Sequence, residues 1–168
     1  PDECLLREAM ENGAAGLSRG LVYPPGVFTQ KAELVELCKV VAEYGGFYAT
    51  HMRNESKDLL TSVKEAIRIG KEAGVAVHIS HFKVMGRDYW GNHKAAIAEI
   101  EQARAAGQDI TCDQYPYNCS MTIYTPCMPP WYFTEGTEAL VDKLHDPALR
   151  AKIKAEMNDP ASDYENFY

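Results

Sequence analysis

Five side chains carry the chemistry that this sequence could perform: Tyr23, His51, His81, Lys83 and Tyr115. Tyr23, His51, His81 and Tyr115 each close a short apolar run, at successive spacings of 28, 30 and 34 residues. Two neutral imidazoles at adjacent strand ends can share one zinc ion at about 2.0 to 2.1 Å each, leaving positions for further ligands and a water. The competing reading makes each histidine a hydrogen-bonded core residue, but matched positions on consecutive repeats favour a shared site. Lys83 follows His81 by two positions and shares its orientation if the strand continues. Its ammonium suits a substrate carboxylate, and a solvated loop lysine is the plain alternative. Tyr23 and Tyr115 could hydrogen-bond an acyl oxygen or a carboxylate, or simply pack as amphipathic rings.

Several other polar residues are weaker candidates. Arg53 and Glu55 follow His51 in a loop, where they could orient one another or cap the next helix, and capping is the simpler reading. Asp113 has the type of a ligand or general base, but its place two residues before Tyr115 decides nothing. His78 alternates with His81 and Val77 and is expected to pack against a helix layer, while His93 and His145 read as surface residues. No cysteine stands at useful spacing from a histidine, and no Gly-x-Ser-x-Gly, Walker or dinucleotide fingerprint occurs.

The elements that must position these residues follow from periodicity. The spacing predicts helices over about 3–12, 30–44 with Thr29 as cap, 57–73 with Ser56 as cap, and 93–106 with Asn92 as cap. Strands are expected at about 16–23, 46–52, 75–81 and 109–115. Beyond Tyr117 the rhythm breaks into a loop rich in proline and aromatic residues. Two short helices follow, over about 137–145 and 147–157, the second with Asp146 as N-cap and Pro147 at the first helical position. The tail over 158–168 shows no pattern.

Strand and helix in alternation predict a parallel sheet. The even repeat points to an α/β fold, a partial (β/α)8 TIM barrel of about four parallel β/α units with a C-terminal helical excursion. A whole barrel takes ~250 residues, so 168 hold about half of one. Residues 1–117 are read as the partial barrel and 118–168 as a loop and short-helix excursion of the same domain. Pro1 is followed almost at once by a helix, so the chain reads as the central portion of a longer one. In a parallel sheet, chemistry gathers at the carboxyl ends of the strands. Period-two alternation puts Phe47, Ala49 and His51 on one face, and Val77, Ile79 and His81 on one face, so both histidines are expected at one barrel mouth.

Composition narrows the partners. With 17 Lys+Arg against 24 Asp+Glu the net charge is −7, which offers no basic face for nucleic acid. No apolar run approaches the ~18 residues of a spanning helix, so no membrane is expected. Five cysteines without a C-x-x-C indicate neither a disulfide framework nor a cysteine zinc site, and a reducing cytoplasm is the expected compartment. Exposed strand edges on a half-built barrel imply self-association.

These residues also carry a family likeness. The segments GLSRGLVYPPG, YGGFYATHMRNE, GVAVHISHFKVMGRDYWG and GQDITCDQYPY, in this order, resemble the N-acyl-D-amino-acid deacylases (D-aminoacylases) of the amidohydrolase superfamily, and the likeness extends through PPWYFTEGTEALVDKLHDPALRAKI. The resemblance implies a zinc-bearing (β/α)8 barrel with a small added β domain. It implies that His51 and His81 hold the tightly bound zinc, and that Tyr23, Lys83 and Tyr115 line the pocket for the N-acyl-amino acid. Lys83 would pair with the substrate carboxylate. The reaction implied is amide hydrolysis: zinc lowers the pKa of its water toward ~7 and polarises the carbonyl, and a carboxylate base passes the proton to the leaving amine.

The departures are as definite. The family's His-x-His on the first strand, its bridging cysteine ligand and its catalytic aspartate have no counterparts in these residues, so no catalytic residue is assigned within the chain. Where the family has ISHHK this sequence has ISHFK, with Phe82 in place of a histidine that is not a ligand. Two rival readings stand beside this one: an amidohydrolase acting on cyclic amides, of the dihydropyrimidinase or dihydroorotase kind, and a metal-free binding module in which both histidines are structural.

Overall fold

The computed structural model describes residues 2–124 and 127–159. Part of the expected loop (Thr125 and Pro126) and most of the expected patternless tail (160–168) lie outside the described residues. The elements run α1 (Asp2–Glu11), β1 (Gly16–Gly20), α2 (Lys31–Glu43), β2 (Phe47–His51), α3 (Leu59–Ala73), β3 (Ala76–Ile79), α4 (His93–Ala105), β4 (Ile110–Cys112), α5 (Thr137–His145) and α6 (Pro147–Met157). Single 3-10 turns at Gly26–Phe28, Arg87–Asn92 and Pro130–Phe133 interrupt stretches expected as loop. The strands form one parallel sheet in the order β1-β2-β3-β4. Each crossover therefore advances by one strand in the same direction, which is barrel winding rather than the reversing order of a doubly wound sheet.

Apolar residues recur on one face of each crossover helix, and these faces cover one side of the sheet. Leu34, Cys38 and Val41 of α2 and Leu59, Val63, Ala66 and Ile69 of α3 are buried, and they share a core with Tyr48, Val77, Ile79 and Ile110 from the strands. Gly70 lets α3 approach the sheet closely, since a Cβ there would stand 2.4 Å from Val77 Cγ2. Gly74 ends α3 with a left-handed φ of 69°, the conformation that glycine adopts at least cost. Cys38 lies so deep that burial pushes its thiol pKa up to about 12, which leaves it an inert apolar group.

Among the described residues, the crossover helices leave the other face of the sheet uncovered. The register aligns Ser18, Ala49, His78 and Thr111 in one row across the four strands, with Gly20 and His51 one row nearer the carboxyl end. Such rows are the layers that fill a closed barrel. Phe47, on this face, is 42% exposed. The strands are shorter than their apolar runs because the chain turns out of the ladder near the sheet's carboxyl edge.

Two of the expected helix caps, Thr29 and Ser56, differ from those observed, and Asn92 holds the expected N-cap position without a capping bond. Thr29 lies outside α2, buried, with its hydroxyl accepting from Arg19 at 2.9 Å. Ser56 lies within a turn organised by Asn54, whose Oδ1 accepts from the backbone N–H groups of Ser56 and Asp58. Asn92 stands at the start of α4 without a side-chain capping bond. Tertiary packing starts α2 and α3 where their apolar faces meet the core, and the polar residue one or two positions before the cap is then used otherwise. Asp146 does cap α6, accepting from the backbone of Ala148 and Leu149.

Residues 128–157 build a small cluster of their own, in which Tyr132, Phe133, Leu140 and Ile153 are buried. Trp131 Nε1 donates to Glu156 across it at 2.8 Å, and Lys152 stands 4.2 Å above the Trp131 ring. Among the described residues, no helix is long and apolar enough to cross a membrane.

The core between α3 and the sheet makes a stability prediction. Ile69 is fully buried there, so Ile69→Ala is expected to cost about 2 to 5 kcal/mol by chemical denaturation, whereas exposed Ile97→Ala should cost well under that.

Candidate metal and substrate site

The site begins where β2 and β3 end. Parallel pairing sets Thr50 against Ile79, so His51 lies level with Ser80 and not with His81. Val77 and Ile79 are buried among the helices while Ala76 and His78 take the opposite face. Simple alternation would therefore have sent His81 toward the helix layer. The strand stops at Ile79, however, and His81 takes a positive φ of 41° that turns its side chain back. The expectation that both histidines share the mouth is met, but by a left-handed residue rather than by strand parity.

Contacts from Asp113, the residue just after β4, hold that unusual backbone. Asp113 Oδ1 accepts the His81 backbone N–H at 2.5 Å, and the Asp113 carbonyl accepts from Phe82 at 2.9 Å. His78, expected to pack against helices, instead stands on the uncovered face, between Thr111 Oγ1 at 2.8 Å and Asp113 Oδ2 at 2.9 Å. The parity assigned to β3 from sequence was inverted, which is why His78 was misplaced. The His78 hydrogen bond, then the His81 N–H, hold the Asp113 carboxyl below the ordinary carboxylate range. A lowered folded value means that this contribution to stability is present at neutral pH and is lost as pH falls through it.

His51 Nδ1 and His81 Nε2 face each other directly, with ring centroids 4.6 Å apart. Burial, then the positive charge that His81 and Lys83 would place beside it, holds the His51 pKa below its usual value, so the imidazole is neutral at pH 7. Two imidazole nitrogens converging on one point suit a zinc ion. Tyr23 packs edge-on to His51 at 6.0 Å between centroids, over Gly20, where a Cβ would come within 2.6 Å of the Tyr23 ring. Its hydroxyl lies 3.3 Å from Thr122 Oγ1. Lys83 Nζ stands 5.7 Å above the centre of the Tyr115 ring. Burial raises the Tyr115 pKa above its usual value, so that hydroxyl is a neutral donor. The structure thus brings His51, His81, Lys83, Tyr23 and Tyr115 to one end of the sheet.

Sequence reasoning missed Glu55. Its residue is only 8% exposed, and its carboxylate reaches His81 Nδ1 at 2.9 Å with one oxygen and Lys83 Nζ with the other. Lys83 also lies 2.9 Å from His81 Nδ1 and 3.2 Å from the His81 carbonyl. Glu55 therefore neither caps α3 nor pairs with Arg53. Arg53 forks onto Glu65 at 3.1 Å and donates to the carbonyls of Val27 and Thr29, tying the loop after β1 to α3. A glutamate four residues after a strand-end histidine gives no local sign of this role, because its partners lie 26 and 28 positions further along. Phe82 packs partly buried against the core, away from the converging nitrogens. Among the described residues, no group of three or more His, Cys, Asp or Glu side chains converges as a metal site, and the ring nitrogens that face each other are those of His51 and His81.

No family model matches the chain. A D-aminoacylase of Alcaligenes xylosoxydans xylosoxydans is 42% identical over 119 residues, which is 71% of this chain and 24% of that protein. Among solved structures, an N-acyl-D-glutamate deacylase from Bordetella bronchiseptica, complexed with zinc and a phosphonate inhibitor, superposes with a TM-score of 0.67 at 40% identity, covering 68% of this chain and 24% of that one. The chain is homologous to a segment of the N-acyl-D-amino-acid deacylases. It spans about a quarter of the length of the curated relatives it matches. An L-hydantoinase (dihydropyrimidinase) of Arthrobacter aurescens, at 18% identity and a TM-score of 0.51 over 84% of this chain and 32% of its own, shares the fold alone. Four parallel strands in barrel order are consistent with this likeness to the deacylases, one of which is described as defining a subset of amidohydrolases.

The His81 turn supplies a test of the strand-end geometry. Removing the Asp113 carboxylate should release the His81 amide while leaving that of Phe82 held by a backbone carbonyl. In Asp113→Ala, hydrogen exchange at His81 is expected to rise at least about tenfold relative to Phe82, in line with a charge-assisted bond of about 1.5 to 3 kcal/mol. Equal changes at the two amides would refute the role given to this carboxylate.

Proposed function

We propose that this deacylase-like chain supplies part of the metal and substrate site of an enzyme that hydrolyses the amide bond of N-acyl-D-amino acids to a carboxylate and a free D-amino acid. The convergence of His51 Nδ1 with His81 Nε2, within a stretch about two-fifths identical to such deacylases, carries this reading. These two nitrogens would hold a zinc ion, the metal bound in the Bordetella relative. When bound there, zinc acts as a Lewis acid toward the acyl carbonyl and makes its water acidic enough to give hydroxide near pH 7.

The chain's own residues prepare the ligand and the substrate. Burial keeps His51 neutral, so its lone pair is available without competition from a proton at neutral pH. Lys83 Nζ donates to Glu55 and to the His81 carbonyl, and its remaining N–H can meet the α-carboxylate of the substrate. Tyr23 and Tyr115 flank the histidines and Lys83, where their hydroxyls can bind the acyl oxygen or carboxylate. The general base comes from outside these 168 residues, as the unassigned catalytic aspartate requires. The substrate named differs among the relatives matched, which include a D-aminoacylase, an N-acyl-D-glutamate deacylase and an N-acyl-D-aspartate deacylase.

Calorimetry at neutral pH tests the metal reading. Saturable one-to-one zinc binding by the chain is expected, and its loss in His51→Ala/His81→Ala; equal binding by the two proteins would overturn it. The chain alone is expected to release no D-amino acid from N-acetyl-D-amino acids, because the base and remaining ligands lie elsewhere. Turnover that vanishes in His51→Ala would contradict that division of labour.

A further inference from the structure

We propose that Glu55 is a positioning residue of the metal site: its carboxylate accepts the Nδ1 proton of His81 and so presents the His81 Nε2 lone pair toward His51. This rests on the reading of His51 and His81 as metal ligands, and adds to it the group that selects the tautomer of one of them.

The argument is one of hydrogen-bond accounting. His81 Nδ1 has two neighbours at the same distance, Glu55 Oε1 and Lys83 Nζ, both at 2.9 Å. If Nδ1 carries the proton, Glu55 accepts it; if Nδ1 carries the lone pair, Lys83 donates to it and Nε2–H points at His51. Lys83 does not need Nδ1, since Glu55 Oε2 and the His81 carbonyl already accept from its ammonium. Glu55 Oε1 is buried and has no hydrogen-bond partner, and the His81 Nδ1 that could donate to it lies 2.9 Å away. Leaving a buried carboxylate oxygen without a donor is the costlier arrangement, so the proton belongs on Nδ1. A histidine that donates one ring N–H to a carboxylate while the other nitrogen faces the metal is held in both tautomer and ring orientation, and is made more basic.

The placement of Glu55 supports the assignment. Burial of a carboxylate is rare without pairing, and here the pairing reaches from the loop after β2 to two residues after β3. The Glu55 backbone is pinned as well, its carbonyl accepting from the Met85 N–H at 2.8 Å. The carboxylate is therefore aimed by the backbone rather than left to a free side chain.

Long-range proton–nitrogen NMR on the metal-free 168-residue chain reads the His81 tautomer directly. Nδ1–H is expected in the wild type and in Lys83→Met, with loss of that preference in Glu55→Ala. Glu55→Gln keeps an accepting carbonyl oxygen and should retain Nδ1–H, and it serves in place of Glu55→Ala if the latter does not fold. Nε2–H in the wild type, or an unchanged tautomer in folded Glu55→Ala, would overturn the proposal, as would conversion to Nε2–H in Glu55→Gln. In zinc titrations, Glu55→Ala should bind about 10- to 100-fold more weakly than the wild type and Glu55→Gln should recover part of the loss. Equal zinc affinity in Glu55→Ala and wild type would also overturn it. If zinc binds the wild type no better than His51→Ala/His81→Ala, the metal reading fails while the tautomer measurement still decides the role of Glu55.

Discussion

A buried carboxylate links the two loops that carry the candidate ligands. Glu55 leaves β2 four residues after His51, yet its side chain and its backbone carbonyl both reach the segment that follows β3. Between these loops, backbone hydrogen bonding past the strand ends is sparse, running from Ser80 to Thr50 and from Met85 to Glu55, and it does not by itself fix the side chains. The Glu55 contacts with His81 and Lys83 supply that constraint in a place shielded from water, where a charge must be fully partnered to be tolerated. Both partners are polar groups that the site needs in fixed positions, which makes the arrangement useful as well as necessary.

The same logic explains the backbone at His81. A histidine with positive φ is conformationally unfavourable by roughly 1 to 2 kcal/mol, and the structure offsets this with an acceptor from Asp113, the residue just after β4. That turn converts a residue of the wrong parity into a partner for His51. Asp113 is itself held by His78, so the row of polar side chains on the uncovered sheet face continues directly into the site. Support for the histidines therefore comes from both neighbouring loops, with Glu55 behind the ring of His81 and Asp113 beneath its backbone.

The helix layer accounts for the rigidity under this site. Parallel strands joined by crossover helices bury one face completely, and the residues there are apolar and closely fitted, to the point that Gly70 is needed where α3 meets Val77. The opposite face, which closure of a whole barrel would cover, keeps small and polar residues in its central row. A chain that spans about a quarter of its relatives' length can hence hold its strand ends in place, with one nitrogen each of His51 and His81 facing each other there.

Much of the architecture was legible in the sequence because it depends on local periodicity. The apolar stripes of α2 and α3, the glycine stop at Gly74, the Asp146 cap and the even repeat of strand and helix follow from interactions within a few residues, and they appear in the structure as expected. His51, His81, Lys83 and the two tyrosines were legible as strand-end residues for the same reason. The side of the sheet on which β3 shows its side chains, the turn at His81, the true partners of Arg53 and the role of Glu55 were decided only in the tertiary structure. Each depends on which groups meet across 12 to more than 30 residues of chain, where burial rather than sequence proximity selects the partner. Period-two reasoning also fails one residue beyond the ladder, because a single left-handed residue reverses the direction of every side chain it precedes or carries.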